Sequence, residues 1–278
     1  MNANTTAEEA LHRGDPVGAL KLLEQEVRAH ASDAKLRIFL FQLLSVLGQW
    51  ERALNQLDVA AKLDPSALAM AQMYGGALKC EMLRGEVFAG RKSPMVFGQP
   101  EQWLALLIEA VLMSGAGKLA QAQTLRSQAF DEAPESPGTI GEGKPFAWIA
   151  DADMRFGPVL EAIINGRYYW IPFARLTRIV IDEPQDLRDL VWMPVHLGFE
   201  NGGESVALIP TRYPGSEVCE DGELALARKT IWSEPAPDFF CGLGQRVLAT
   251  DLGETALTEI REVTLNPTPT AEAGPPHD

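Results

Sequence analysis

Asp151 and Asp153, one residue apart in Ala150-Asp151-Ala152-Asp153, come nearest in this chain to a reactive pair. Two carboxylates at that spacing can offer oxygens to a hard divalent cation, which needs several more oxygen ligands. Asp182-Glu183 is the obvious second pair. A metal-dependent enzyme using Asp151 and Asp153 is one reading. A strand end running into a side-chain-capped turn is the other. The remaining reactive groups are dispersed. His12, His30, His196 and His277 form no HExxH string and have no carboxylate partner at metal-ligand spacing. Cys219 and Cys241 become nucleophiles only beside a histidine, and His196 is the one candidate. Cys241-Gly242-Leu243-Gly244 is glycine-rich but opens no strand-to-helix phosphate loop, so a turn is expected there. No GxSxG and no Walker A string occurs. The expectation is a chain without catalytic residues, cofactor or metal.

Aromatic residues point instead to binding. Asn165-Gly166 between two apolar runs signals a two-residue hairpin turn. Such a turn pairs Ile164 with Arg167, Ile163 with Tyr168, Ala162 with Tyr169 and Glu161 with Trp170. Strand alternation then puts Leu160, Ala162, Ile164, Tyr169 and Ile171 on one face, the expected core face. Glu161, Ile163, Tyr168 and Trp170 share the other. Tyr and Trp beside a carboxylate have the composition of a binding hot spot, so these four are the candidate partner-binding residues. The competing reading is a second packed layer, for instance against the helical part. Trp50 and Trp103 are expected in the core, and Phe97 is expected to pin its loop to a helix.

The elements around these residues divide in two. Gly14 and Gly48 lie 34 residues apart, the period of a tetratricopeptide unit, and Gly14-Asp15-Pro16-Val17-Gly18-Ala19-Leu20 overlays Gly48-Gln49-Trp50-Glu51-Arg52-Ala53-Leu54. Ala60 and Asp64-Pro65 continue the second copy, and Gly117, Ala122, Ala129 and Pro134 keep the spacing in a distant third. Helix pairs are expected over 7–29, 33–63 and 103–132. A helix over 67–88 capped by Ser66, and an irregular loop over 89–100, are expected between the second and third pairs. Phe41 and Ala110 stand where a glycine is usual and Glu26 where an alanine is usual, so the array is irregular. Residues 133–145, rich in Pro and Gly, read as a linker. From Phe146 the pattern becomes β, with short strands at 146–149, 159–164, 167–171, 178–181, 190–197, 204–210, 225–233 and 245–250. The expected fold is a two-domain α+β chain. An irregular tetratricopeptide-like helical domain over 1–132 precedes a small, strongly bent β-sheet or SH3-like barrel over 146–265. Residues 266–278 read as a disordered tail.

Charge narrows the function classes. Residues 1–130 hold 13 Lys+Arg and 13 Asp+Glu, residues 131–278 hold 11 and 25, so the net charge of −14 falls in the second half. That half repels phosphate backbones and anionic lipid, which disfavours nucleic-acid and membrane-surface roles and suits a basic partner; ordinary solubility is the competing reading. Three cysteines without CxxC spacing fit a reducing compartment. The first residues carry no secretory signal pattern, and no apolar run reaches the roughly 18 residues of a membrane span. The expected location is cytoplasmic.

Several strings resemble one family. They are Val87-Phe88-Ala89-Gly90 with Pro100-Glu101-Gln102-Trp103, Trp148-Ile149-Ala150-Asp151-Ala152-Asp153, Gly157-Pro158-Val159-Leu160-Glu161, Asn165-Gly166-Arg167-Tyr168-Tyr169-Trp170-Ile171-Pro172-Phe173, Asp186-Leu187-Arg188-Asp189-Leu190-Val191-Trp192 and Leu208-Ile209-Pro210-Thr211-Arg212-Tyr213-Pro214-Gly215-Ser216-Glu217. In this order they resemble the TagJ/ImpE family of type VI secretion accessory proteins. The resemblance implies a cytoplasmic, non-enzymatic adaptor. It implies binding to the N-terminal helix of the small, TssB-like subunit of the contractile sheath, and an indirect link to the ClpV-type AAA+ ATPase that disassembles contracted sheaths. The alternatives are the metal enzyme above and a generic tetratricopeptide co-chaperone.

Overall fold

Gly14, Gly48 and Gly117 have φ of +76°, +65° and +78°, a conformation costing residues with a Cβ about 1–2 kcal/mol. Around each, the chain makes the same two hydrogen bonds. Gly14 N donates to Leu11 O and Asp15 N to Ala10 O; Gly48 N to Ser45 O and Gln49 N to Leu44 O; Gly117 N to Ser114 O and Lys118 N to Met113 O. This is a left-handed helix stop that satisfies the last carbonyls, and it is why glycine recurs at the repeat spacing. The computed structural model describes residues 3–99 and 101–266. The tail expected after Asn266, apart from Asn266 itself, lies outside the described residues, as does His277.

The glycines join α1 (Ala3–His12) to α2 (Pro16–Ala29), α3 (Ala34–Val46) to α4 (Trp50–Leu63), and α6 (Gln102–Gly115) to α7 (Leu119–Glu132). Ala19 and Ala53 are fully buried where the helices of the first two pairs meet. Between the second and third pairs runs α5 (Leu68–Phe88). Its lead-in is capped by Asp64, whose carboxylate accepts from Ser66 N at 2.9 Å, so the cap expected at Ser66 is supplied two residues earlier. The loop after α5 contains β1 (Met95–Val96), which runs parallel to a sheet strand. Phe97 stacks on Phe199 at 4.4 Å, so it pins its loop to the sheet and not to a helix.

The rest of the chain is β2 (Gly138–Ile140), β3 (Lys144–Phe146), β4 (Ile149–Asp151), β5 (Val159–Ile164), β6 (Arg167–Pro172), β7 (Leu176–Ile181), β8 (Trp192–Phe199) and β9 (Glu204–Pro210), then α8 (Gly222–Ala225), β10 (Thr230–Ala236), β11 (Phe239–Gly244), β12 (Val247–Thr250), β13 (Gly253–Ala256) and β14 (Glu262–Leu265). Nine strands form one sheet in the order β1-β6-β5-β9-β8-β7-β14-β2-β3. Every pairing in it is antiparallel except β1 with β6. Two smaller sheets, β10-β11 and β13-β12-β4, complete the α+β architecture. The main sheet is larger than the small one expected, because segments read as linker and loop supply edge strands. Residues 133–145 hold β2 and the start of β3, added beside β14. The segment expected as one strand over 225–233 is the end of α8 and the start of β10. Cys241-Gly242-Leu243-Gly244 is strand β11 and not a turn.

The hairpin of β5 and β6 has the expected register, Ile164 with Arg167 through Glu161 with Trp170. Asn165 and Gly166 take φ of +50° and +70°, as a type I′ turn requires. Its two faces enter different cores. Leu160, Ala162, Ile164 and Ile171 join Ile179, Met193, Val195, Ile209 and Leu248 in a core lined by the sheets. Val159, Ile163, Tyr168 and Trp170 join Trp192, Leu208 and Tyr213 in a second core completed by residues of α1 to α7. The helices therefore lie on one face of the sheet and share its core.

Candidate functional site

Glu161, Ile163, Tyr168 and Trp170 are buried, at 0%, 4%, 1% and 0% exposure. They are not a surface open to a partner. The helical layer covers them, with Phe88 of α5 at 6.4 Å from the Trp170 ring. Alternation separates the two faces correctly, but only tertiary packing decides what covers the second.

On that covered face the carboxylates and guanidiniums of distant elements meet. Arg84, on α5, donates from Nε to Glu161 Oε1 at 2.7 Å and from Nη2 to Glu161 Oε2 at 2.8 Å. Arg246, just before β12, donates to the same carboxylate and to Asp151. Tyr168 donates its hydroxyl to Glu161 and accepts from Trp170 Nε1 at 2.7 Å. Burial opposes the Glu161 charge, but Arg84 and Arg246 outweigh it and hold the carboxyl at about 2. A buried ion pair gains only when every oxygen is satisfied, and Glu161 meets that condition.

Asp151 and Asp153 belong to the same layer. Asp151 accepts from Tyr213 Oη at 2.9 Å and from Asp153 N at 2.9 Å, besides Arg246. Burial pushes its carboxyl up to about 7, against the pull of Arg246. Asp153 accepts from Arg155 N at 2.8 Å, Arg155 Nη2 at 2.5 Å and Gly242 N at 2.7 Å. The pair is a strand end with a side-chain-capped turn. Gly242 is glycine because a Cβ there would stand 2.3 Å from the Tyr213 ring. Among the described residues no group of three or more His, Cys, Asp or Glu is placed to hold a metal. Asp182, from the second acidic pair, donates its backbone N–H to Pro194 O beside β7. His196 pairs with Val180 and Val206 within the sheet, not with a cysteine. Burial raises the thiols of Cys80 and Cys241 to about 12 and about 11, far from a thiolate nucleophile.

Arg212, absent from the candidates drawn from the sequence, ties the two layers together. Its guanidinium donates to Val46 O at 2.6 Å and Ser45 O at 3.2 Å, at the C-terminal end of α3, and to Ala225 O of α8 at 2.5 Å. A cation there meets the negative end of the helix. The only sequence signal is an arginine inside the apolar Ile209–Tyr213 stretch.

Above this layer a cleft of about 560 Å³ opens between Trp50 of α4, residues 81–91 and the loop carrying Pro214, Gly215 and Glu217. Its floor includes Glu81, Arg84 and Arg155. Glu81 is 7% exposed, accepts from Trp192 Nε1 at 3.1 Å and meets Arg84 Nη1 only at 3.4 Å. Burial raises its carboxyl, Arg84 opposes this, and Glu217 and Glu161 add to the rise. Counting the cleft and its bonded network, six carboxylates (Glu81, Glu86, Asp151, Asp153, Glu161, Glu217) face five guanidiniums (Arg84, Arg91, Arg155, Arg212, Arg246).

Comparison with known proteins gives a consistent placement. A family model described as ImpE protein matches residues 143–264. The type VI secretion system accessory component TagJ of Pseudomonas aeruginosa is 53% identical over 264 residues, 94% of this chain and 92% of that protein. A crystal structure of a Vibrio parahaemolyticus protein superposes with a TM-score of 0.86 at 25% identity, covering 94% of this chain and 97% of that one. The structural likeness thus spans both the helices and the sheet. With identity of that degree over nearly its whole length, the chain belongs to the TagJ/ImpE family of type VI secretion system accessory proteins.

Proposed function

We propose that this protein is a non-enzymatic, cytoplasmic adaptor of the type VI secretion system. It holds the N-terminal helix of the small contractile-sheath subunit and through it serves the ClpV-type ATPase that takes contracted sheaths apart. The observation that carries this reading is the 53% identity to TagJ across 94% of the chain. The buried ionic layer supports it. Asp151 and Asp153 spend their oxygens on Arg246, Tyr213, Arg155 and main-chain N–H groups, which weighs against the metal-enzyme alternative. An amphipathic helix docks its apolar face into a groove, and the concavity lined by Leu54, Ala61, Leu68 and Ala71 of α4 and α5 is a surface of that kind. The hairpin face around Trp170 is enclosed, so the partner docks elsewhere on the molecule. Co-purification with the full-length small sheath subunit, and with the same subunit lacking its N-terminal helix, tests the reading. Capture of the first and loss of the second is expected. Equal capture of both, or of neither, overturns it.

A further inference from the structure

We propose that the cleft between α4, α5 and the 214–217 loop is a receptor for one basic side chain of a bound polypeptide. Glu81 and Glu217 take its charge, and Trp50 takes its stem.

Three observations lead here. The first is the charge balance. Arg84 and Arg155 are committed to Glu161 and Asp153 at 2.7 Å and 2.5 Å, and Arg91 pairs with Glu86 at 2.7 Å. Arg212 faces main-chain carbonyls and hydrogen-bonds neither glutamate. That leaves Glu81 with a 3.4 Å approach from Arg84, and Glu217 with the Gly215 N–H at 3.1 Å and no ion pair among the described residues. Glu81 and Glu217 are thus the two carboxylates of the cleft without a close guanidinium of their own, and one guanidinium or ammonium between them would pair both.

The second is burial. A carboxylate in a poorly hydrated site without full compensation is costly, and an arriving cation lowers that cost. Glu81 lies on the cleft floor almost out of contact with water. The third is shape. The space of about 560 Å³ has the size of a ligand site. The half-buried Trp50 is braced against Trp192 at 6.2 Å and gives a flat, electron-rich wall, the surface on which a cationic side chain packs. The arginines in the floor do not bar a cation, because each already has its own carboxylate or carbonyls.

This inference rests on the adaptor reading only in taking the arriving group to belong to a polypeptide, and its test uses a probe free of that assumption. N-acetyl-arginine amide and its neutral isostere N-acetyl-citrulline amide are titrated into the intact protein, followed by NMR of the Trp50 indole and the Gly85 and Gly215 amides. The arginine compound is expected to shift these signals saturably, and the citrulline compound at least about tenfold more weakly. Glu217→Gln should weaken arginine binding about tenfold with its thermal unfolding midpoint unchanged. Glu81→Gln should do the same, and Glu217→Gln carries the test if that variant fails to fold. Equal response to both compounds, shifts scattered away from the cleft, or no effect of Glu217→Gln overturns the proposal. The two readings fail separately. A sheath helix that binds the wild type without disturbing the cleft signals sinks this inference alone. Arginine binding in the cleft without sheath-helix binding sinks the adaptor reading alone.

Discussion

Glu161 lies between Arg84 and Arg246 with no water-exposed surface. Glu161→Gln leaves two buried guanidiniums facing a neutral amide, and we expect it to cost about 3–5 kcal/mol of stability in urea unfolding. A loss under about 1 kcal/mol would mean that the layer is better hydrated than its geometry implies. The two perturbed acids also set a pH profile. The Glu161 carboxyl is depressed, so its stabilisation is present above its unfolded value near 4.5 and is lost as pH falls toward about 2. The Asp151 carboxyl is raised, so its contribution is present below its unfolded value near 3.8 and is lost as pH rises through about 7. Unfolding free energy should therefore pass through a maximum between these limbs, and Asp151→Asn should flatten the upper one. A profile still rising at pH 8 contradicts the Asp151 assignment. At this scale the sequence was legible where bonding is local: the Asp151-Ala152-Asp153 turn closes on its own backbone. It was silent on Arg246 and Arg84, whose partners lie 85 and 77 residues away.

The helix stops were the most legible elements, since Gly14, Gly48 and Gly117 act through hydrogen bonds within five residues. The β5-β6 hairpin was equally legible, because a two-residue turn fixes register. Edge strands were not. The two residues of β1 and the three of β3 are held only by a neighbour's free edge, and β2, between β14 and β3, is just three residues long, so no alternation of their own marks them. Arg212 acts between elements, as a cap on α3 from 166 residues away. Arg212→Ala leaves the carbonyls of Ser45, Val46 and Ala225 buried without that donor, and should cost about 2–4 kcal/mol, by the usual penalty for stranded buried acceptors. Amide exchange should show the loss first at the C-terminal end of α3. Faster exchange confined to the bridge between Arg212 and Gln245 instead would show that the guanidinium serves its own segment and not the helix.

For the whole molecule, the consequential feature is the shared core. Tyr74, Leu78, Val87 and Trp103 of the helices lie in one cluster with Trp170, Trp192 and Tyr213 of the sheet part. The composition shift near residue 133 reads as a domain boundary, yet the apolar face that follows it is covered by what precedes it. Helical and sheet signals should therefore melt in one transition, seen alike by far-ultraviolet and aromatic circular dichroism. Two separated transitions would show independent domains. Helices and sheet that share one core, with Asp151, Asp153 and Glu161 paired to arginines, are suited to presenting a fixed surface, which is what the proposed adaptor role requires. That role is tested most directly by calorimetric titration of a peptide copying the N-terminal helix of the small sheath subunit into the intact protein. Saturable binding at one site per chain is expected, with no heat from a peptide of the same composition in scrambled order. Absence of binding by a folded protein at about a hundred micromolar, where a micromolar complex would be nearly saturated, would contradict it.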